Sequence, residues 1–99
     1  QPLAKFPALV RDIAMLVRDE VTVKEIGDVI KANGGVYLEK VELFDVYKGE
    51  QIGEGMKSVA FTISFRSSER TLSDAEIAPD MEHILSALAE QLDAHLRDK

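Results

Sequence analysis

The 99-residue sequence has no cysteine and no tryptophan. Without cysteine it can form neither disulfide bonds nor thiolate metal sites, which suits a reducing compartment. It also lacks a run of about eighteen apolar residues, so no membrane-spanning helix is predicted. The N-terminal QPLAKFPALV does not follow the charged-then-apolar order of a signal peptide. We therefore expect a cytoplasmic protein that has no membrane partner.

The clearest pattern in the sequence is an alternation with a period of two within residues 41–67. From 58 to 65 the odd positions carry Val, Phe, Ile and Phe, whereas the even positions carry Ser, Ala, Thr and Ser. This alternation predicts a strand with one buried face. In the preceding strand Phe44 and Val46 share one parity, and Asp45 and Tyr47 share the other. A hairpin that pairs the two apolar faces would gather Asp45, Tyr47 and Ser58 on the open face, where an acceptor, an aromatic ring and a hydroxyl suit the reading of a base.

Two helix starts are marked by capping boxes, Thr22 with Glu25 and Ser73 with Glu76. Two glycines end the first helix at 34–35. Pro79 falls inside the second helix, so we expect a kink there or a separate short first turn. The remaining segments predict an irregular lead-in over 1–10 and strands at 11–17, 36–47 and 57–67, with a fourth, edge strand at 94–99.

This order predicts an α+β fold of the ferredoxin-like βαββαβ type, with a four-stranded antiparallel sheet and two helices on one face. One domain spans 1–99. The helices should cover the face of the sheet that carries Phe44, Phe61 and Phe65 and leave the opposite face open. The three glycines between 49 and 55 are not followed by a helix start, so they indicate a turn and not a phosphate-binding loop.

Four stretches resemble the ferredoxin-fold anticodon-binding domain of phenylalanyl-tRNA synthetases, a domain that ends the bacterial β subunit and the single-chain organellar enzyme. They are FPALVRDIA (6–14), VELFDVYKG (41–49), GMKSVAFTISFRS (55–67) and RTLSDAEI (70–77). The resemblance implies a non-catalytic fragment of a larger subunit that binds the anticodon stem-loop of the phenylalanine tRNA. It implies no cofactor in this domain, because ATP and magnesium are used elsewhere in the parent ligase. Its protein partners would be the rest of the β subunit and the α subunit of an α2β2 assembly.

The resemblance also implies a site. Asp45, Tyr47 and Ser58 match the family positions that contact the first anticodon base, and Ala60 leaves room for a base to lie flat. A carboxylate can accept two N–H bonds from the Watson–Crick edge of guanine, and a tyrosine ring offers a stacking plane.

Contacts to the RNA backbone are harder to predict, because the net charge is −6. Residues 1–73 are nearly balanced, with 11 acidic and 10 basic side chains, whereas residues 74–99 hold 7 and 2. We therefore expect weak RNA affinity from this piece alone. Arg11, Lys57 and Arg66 are the candidates for phosphate contacts. They belong to a predicted basic patch near the hairpin that also includes Lys40, Lys48 and Arg70.

Other readings of the same residues are open. Asp45 could be a solvated acid and Tyr47 an ordinary strand aromatic, in a free-standing ferredoxin-like module with a regulatory or protein-interaction role. An acylphosphatase-type enzyme is disfavoured, because the only asparagine, Asn33, falls at a helix end. His83 and His95 lack neighbouring ligands at metal-binding spacing, so no metal site is predicted.

Overall fold

The computed structural model of the chain describes residues 6–49 and 51–96. Four antiparallel strands form one sheet in the order β2-β3-β1-β4, and both helices pack against one face of it. This confirms the predicted ferredoxin-like βαββαβ fold. The elements are β1 (Leu9–Arg18), α1 (Val23–Asn33), β2 (Leu38–Tyr47), β3 (Met56–Phe65), α2 (Asp74–Leu92) and β4 (His95–Leu96).

The core lies between the sheet and the helices. The odd positions of β3 from 59 to 65 are all buried, as predicted from the alternation, and they meet buried side chains of the neighbouring β1. Ile26 and Ile30 of α1 and Ile84 and Leu88 of α2 close this core from the helical side. Apolar burial on this one face stabilises the fold and leaves the other face of the sheet without a helix.

α1 begins and ends where its sequence signals predict. The Thr22 backbone N–H donates to the Glu25 carboxylate at 2.8 Å, and the Glu25 N–H donates to the Thr22 hydroxyl at 3.1 Å. These two bonds satisfy donors that have no partner within the helix. After Asn33 the chain turns through Gly35, whose φ of +84° lies in the left-handed region that glycine adopts without a Cβ clash.

α2 is one continuous helix of 19 residues with Pro79 inside it, so the alternative of a separate first turn is wrong. Pro79 is the sixth residue of α2, just beyond the first four N–H groups, which have no intrahelical acceptor. The ring therefore removes only the bond to Ala75 close to an exposed end. Among the described residues, neither helix has the length and apolar character needed to cross a membrane.

β2 is an edge strand, and its pairing with β3 is interrupted twice. One interruption lies between Leu43 and Asp45, which makes Phe44 the extra residue of a bulge. Phe44 is 57% exposed and lies outside the core. The expectation that the helices cover Phe44 is therefore wrong, because the bulge breaks the strict alternation on which it rested.

Two predictions concern the ends of the chain. The expected edge strand at 94–99 is present as β4, which pairs antiparallel with β1. Residues 97–99 and residues 1–5 lie outside the described part. The predicted irregular lead-in over 1–10 is wrong for Leu9 and Val10, which belong to β1.

Candidate nucleic-acid interface

The face of the sheet opposite the helices, here called the open face, is built from the even positions of β1 and β3. Small side chains line its centre, since Ala14 of β1 lies beside Ala60 of β3. On β3 the flanking even positions carry Ser58 and Thr62, and the Thr62 hydroxyl donates to the Asp12 carboxylate at 2.9 Å. A floor of alanine, serine and threonine leaves space above the sheet for a flat ligand.

The hairpin register joins the residues that the sequence predicts as a site. Tyr47 pairs with Ser58, and Asp45 pairs with Ala60. Side chains that are directly opposite on one face have Cβ atoms about 4.5–5.5 Å apart. Asp45, Tyr47, Ser58 and Ala60 therefore form one cluster, which we call the reading cluster.

The reading cluster has a buried floor and exposed rims. Ser58 and Ala60 retain only 4% and 7% of their surface, whereas Tyr47 is 40% exposed. The Asp45 carboxylate is exposed and makes no hydrogen bond or ion pair with the described residues. Its acceptor oxygens are consequently directed to solvent, or to a donor from outside the chain.

The Tyr47 ring is held near the start of the β2–β3 loop. Its hydroxyl donates to the Gln51 side-chain carbonyl at 3.2 Å. Gly49 makes this position accessible, because a Cβ built on Gly49 would lie 2.7 Å from the Tyr47 hydroxyl oxygen and 3.0 Å from the ring carbon that bears it. Gly49 thus leaves room for the ring to lie against the loop backbone.

Two lysines lie at the same end of the sheet as Tyr47, and both contact Asp19 in the turn after β1. Lys48 forms an ion pair with the Asp19 carboxylate at 2.9 Å, and Lys57 donates to the Asp19 backbone carbonyl at 3.1 Å. The hydrogen bond from Lys48 lowers the pKa of Asp19, and the charges of both lysines add to this. This turn therefore holds two cations at one end of the sheet, and Lys57, which pairs with the core residue Val17, belongs to the face that carries the helices.

The other two phosphate candidates lie elsewhere. Arg11 pairs with Ile63 in the register, on the face that carries the helices, and forms an ion pair with Asp74 at the start of α2. Arg66 follows the far end of β3, where it donates to the Glu39 carboxylate at 3.0 Å and to the Phe6 carbonyl at 2.7 Å. At about 3.3 Å per residue, eight residues of strand separate Arg66 from Ser58 by roughly 26 Å.

The predicted basic patch near the hairpin is therefore wrong as a single surface. Its members are distributed over both faces and both ends of the sheet, and most are neutralised by a neighbour. The described ion pairs that involve them are Arg11–Asp74, Lys40–Glu42, Lys48–Asp19, Arg66–Glu39 and Arg70–Glu76. Local pairing reduces the positive potential available to RNA.

The structure extends the Tyr47 row across the whole sheet, which the sequence does not indicate. Ser58 pairs with Leu16 of β1, and Leu16 pairs with His95 of β4. The row therefore runs Tyr47, Ser58, Leu16, His95 on one face. A two-residue strand has no detectable period, so no sequence signal could assign His95 to this face. Within 6–49 and 51–96, no three carboxylate or histidine side chains cluster as metal ligands.

Comparison with known proteins adds a family to this geometry. A sequence model described as the ferredoxin-fold anticodon binding domain matches residues 4–97. Three similar proteins are named phenylalanine–tRNA ligase β subunit. The chain is 53% identical to the one from Clostridium tetani over 95 residues, 44% identical to the one from Streptococcus pneumoniae over 95 and 40% identical to the one from Lactiplantibacillus plantarum over 97.

These matches cover 96–98% of this chain but only 12% of each relative. The chain thus spans about one eighth of the length of the curated relatives that it matches. The family match, by contrast, extends over nearly all of its residues and agrees with the observed sheet order and helix placement. The chain therefore belongs to the family of ferredoxin-fold anticodon-binding domains.

Proposed function

We propose that this chain binds the anticodon stem-loop of the phenylalanine tRNA through the open face of its sheet. It does so as a non-catalytic module of a cytoplasmic phenylalanine–tRNA ligase. The parent is an α2β2 assembly, and its ATP and magnesium chemistry takes place outside this domain. The observation that carries the proposal is the reading cluster, in which an exposed carboxylate and an exposed ring lie side by side above a floor of small residues.

The chemistry of the cluster fits the first anticodon base, a guanine. Guanine presents two N–H donors on its Watson–Crick edge, and the Asp45 carboxylate can accept both. The Tyr47 ring gives the base a stacking surface, which is worth roughly 1–3 kcal/mol per base in proteins that bind single-stranded nucleic acid. The small side chain of Ala60 beside Asp45 leaves the base room to lie flat on the sheet.

The charge of this chain favours tRNA binding together with the rest of the ligase over tRNA binding by this domain alone. The described cations are mostly paired with carboxylates, and the chain has a net charge of −6. Phosphate contacts supply most of the non-specific affinity for nucleic acids. This domain therefore contributes base recognition, and the rest of the ligase contributes most of the attraction to the tRNA backbone. Among Arg11, Lys57 and Arg66, Lys57 lies nearest to the reading cluster along the chain, but its pairing with Val17 places it, like Arg11, on the face that carries the helices.

The proposal is tested by changing Asp45 to Asn in the full-length ligase. The amide replaces one acceptor oxygen by a donor at nearly the same size, so one of the two bonds to guanine becomes a repulsive contact. A bidentate base contact is worth about 1–3 kcal/mol of discrimination, or roughly 5- to 150-fold. We compare kcat/KM for the natural tRNA with kcat/KM for a tRNA whose first anticodon base is changed. We expect Asp45→Asn to reduce this preference by a factor within that range.

The matched control is Glu42→Gln, the same chemical change on the same strand and the same face. Glu42 pairs with Thr62, in the next row of the open face beyond the Asp45–Ala60 pair. This variant should discriminate like the wild type, and adenylate formation should be normal in both. Full discrimination by Asp45→Asn would reject the assignment of guanine reading to this cluster.

A further inference from the structure

The far edge of the open face carries a second cluster, formed by Arg18, Asp93 and His95. The Asp93 carboxylate bonds the His95 ring nitrogen Nε2 at 2.8 Å through one oxygen, and the Arg18 guanidinium at 3.3 Å through the other. The Arg18 guanidinium also lies 3.5 Å from Glu20. None of these residues belongs to the reading cluster, and the three sit at the opposite edge of the same face.

Backbone geometry explains how residues so close to the end of α2 reach the sheet. Asp93 has a φ of +55°, and its N–H donates to the Ala89 carbonyl at 3.2 Å, which closes the helix. Ala94 is buried and anchors the chain against the core. His95 pairs with Leu16, which places it on the open face. The Asp93 carboxylate reaches the His95 ring and the Arg18 guanidinium directly.

The cluster is held in place, yet it remains accessible. The hydrogen bond from His95 lowers the pKa of Asp93, and the charge of Arg18 contributes. Asp93 therefore stays ionised and fixes both neighbours. The side chains of His95 and Arg18 nevertheless keep 62% and 51% of their surface exposed. An imidazole and a guanidinium are both flat groups on which unpaired bases stack.

The two clusters lie on one face, within the reach of a single RNA strand that crosses the sheet. His95 and Tyr47 belong to the same row, three strand spacings apart, or about 14 Å. Four-stranded sheets that bind single-stranded RNA hold two or three bases across one face. Between the two positions lie Ser58 and the half-buried Leu16, which offer a low surface for the strand to cross.

We propose that His95 and Arg18, positioned by Asp93, form a second base-stacking position for the anticodon loop. This position holds a nucleotide other than the first anticodon base. The proposal rests on the proposed function, since it assigns a second contact to the same RNA on the same face. Its experiment is therefore arranged so that either assignment can fail separately.

The test uses the full-length ligase with His95→Ala and His95→Phe. Loss of one half-exposed stacking plane should raise the KM for tRNA about fivefold in His95→Ala, while adenylate formation stays unchanged. Phenylalanine keeps the flat surface and should recover most of the loss. The matched control is His83→Ala, an exposed histidine of α2 in the helix layer, which should leave the KM at the wild-type value.

Abasic substitution at each anticodon-loop nucleotide in turn identifies the partner. One nucleotide other than the first anticodon base should show coupling, so that the effect of His95→Ala disappears once its base is absent. A wild-type KM in His95→Ala with a raised KM in Tyr47→Ala would overturn the second position and leave the proposed function standing. Wild-type values in both variants would overturn both. A loss in His95→Phe equal to that in His95→Ala would overturn stacking.

Asp93→Gly separates positioning from folding. Glycine adopts a φ of +55° without a Cβ clash, so this variant should fold at least as well as the wild type. It lacks the carboxylate that holds His95 and Arg18, so its KM for tRNA should still rise, by less than in His95→Ala. A purely structural cap at Asp93 would give an unchanged KM, and that result would remove Asp93 from the proposal.

Discussion

Gly49→Ala tests whether the observed position of the Tyr47 ring is the one that binds RNA. The new Cβ would lie 2.7 Å from the Tyr47 hydroxyl oxygen, whereas ordinary contact begins at 3.4 Å, so the ring must move by about 0.7 Å. The φ of Gly49 is not in the left-handed region, and alanine is therefore compatible with the backbone. The substitution displaces Tyr47 and leaves the fold intact.

The rise in the KM for tRNA expected for Gly49→Ala lies between no change and the rise expected for Tyr47→Ala. Tyr47→Ala removes the stacking plane completely and should raise the KM for tRNA roughly 5- to 150-fold, which corresponds to about 1–3 kcal/mol. Gly49→Ala should give a smaller increase, because the ring is retained but displaced. Its melting temperature should stay near the wild-type value or rise slightly, since replacing a compatible glycine lowers the entropy of the unfolded chain.

Gly53→Ala in the same loop should have the opposite effects on the melting temperature and on the KM for tRNA. A Cβ on Gly53 would meet nothing within 4 Å, but its φ of +108° is unfavourable for alanine. This variant should melt at a lower temperature while keeping the wild-type KM for tRNA. Thermal unfolding and aminoacylation kinetics in the full-length ligase measure both quantities. A wild-type KM in Gly49→Ala alongside a raised KM in Tyr47→Ala would show that RNA binds a different orientation of the ring.

Two further predictions concern charge. Bonds from the Ser73 backbone and from Arg70 lower the pKa of Glu76, so its contribution to stability is present at neutral pH and is lost as the pH falls below the usual glutamate value of 4.5. The melting temperatures of wild type and Glu76→Gln should accordingly differ most near pH 7 and converge in acid, and a difference independent of pH between 3 and 7 would contradict this origin. The isolated chain should bind the tRNA weakly, with an affinity that falls as salt rises, because its described cations are largely paired. Tight, salt-insensitive binding in a titration from 50 to about 200 mM salt would contradict it.

Local patterns predicted the elements and the residues of the reading cluster. Alternation on β3 identified the buried and open faces, and both α-helices begin at the capping boxes. Pairing Asp45 and Tyr47 with the even positions of β3 required only that the apolar faces of the hairpin coincide. That condition is strong, because a slip of one residue would expose the whole apolar set.

The errors arose where neighbours outside the local pattern decide the outcome. The bulge at Phe44 interrupts the alternation of an edge strand that has a partner on one side only. Arg11 looked like part of a basic patch, yet the register with Ile63 directs it to the helix layer and to Asp74. The continuous apolar run from Ile13 to Val17 has no alternation that would reveal which face of β1 Arg11 shares.

The order of the elements, the apolar face of the hairpin and the residues of the reading cluster follow from local patterns in the sequence. Those features depend on side-chain periods and on contacts between segments close in the chain, which the order of residues specifies directly. The position of β1 between β3 and β4, which brings His95 into one row with Tyr47, appears only in the folded chain. Contacts between segments that are far apart in the chain depend on how the whole chain buries its apolar surface. A two-residue strand is too short to have a pattern from which such contacts could be predicted.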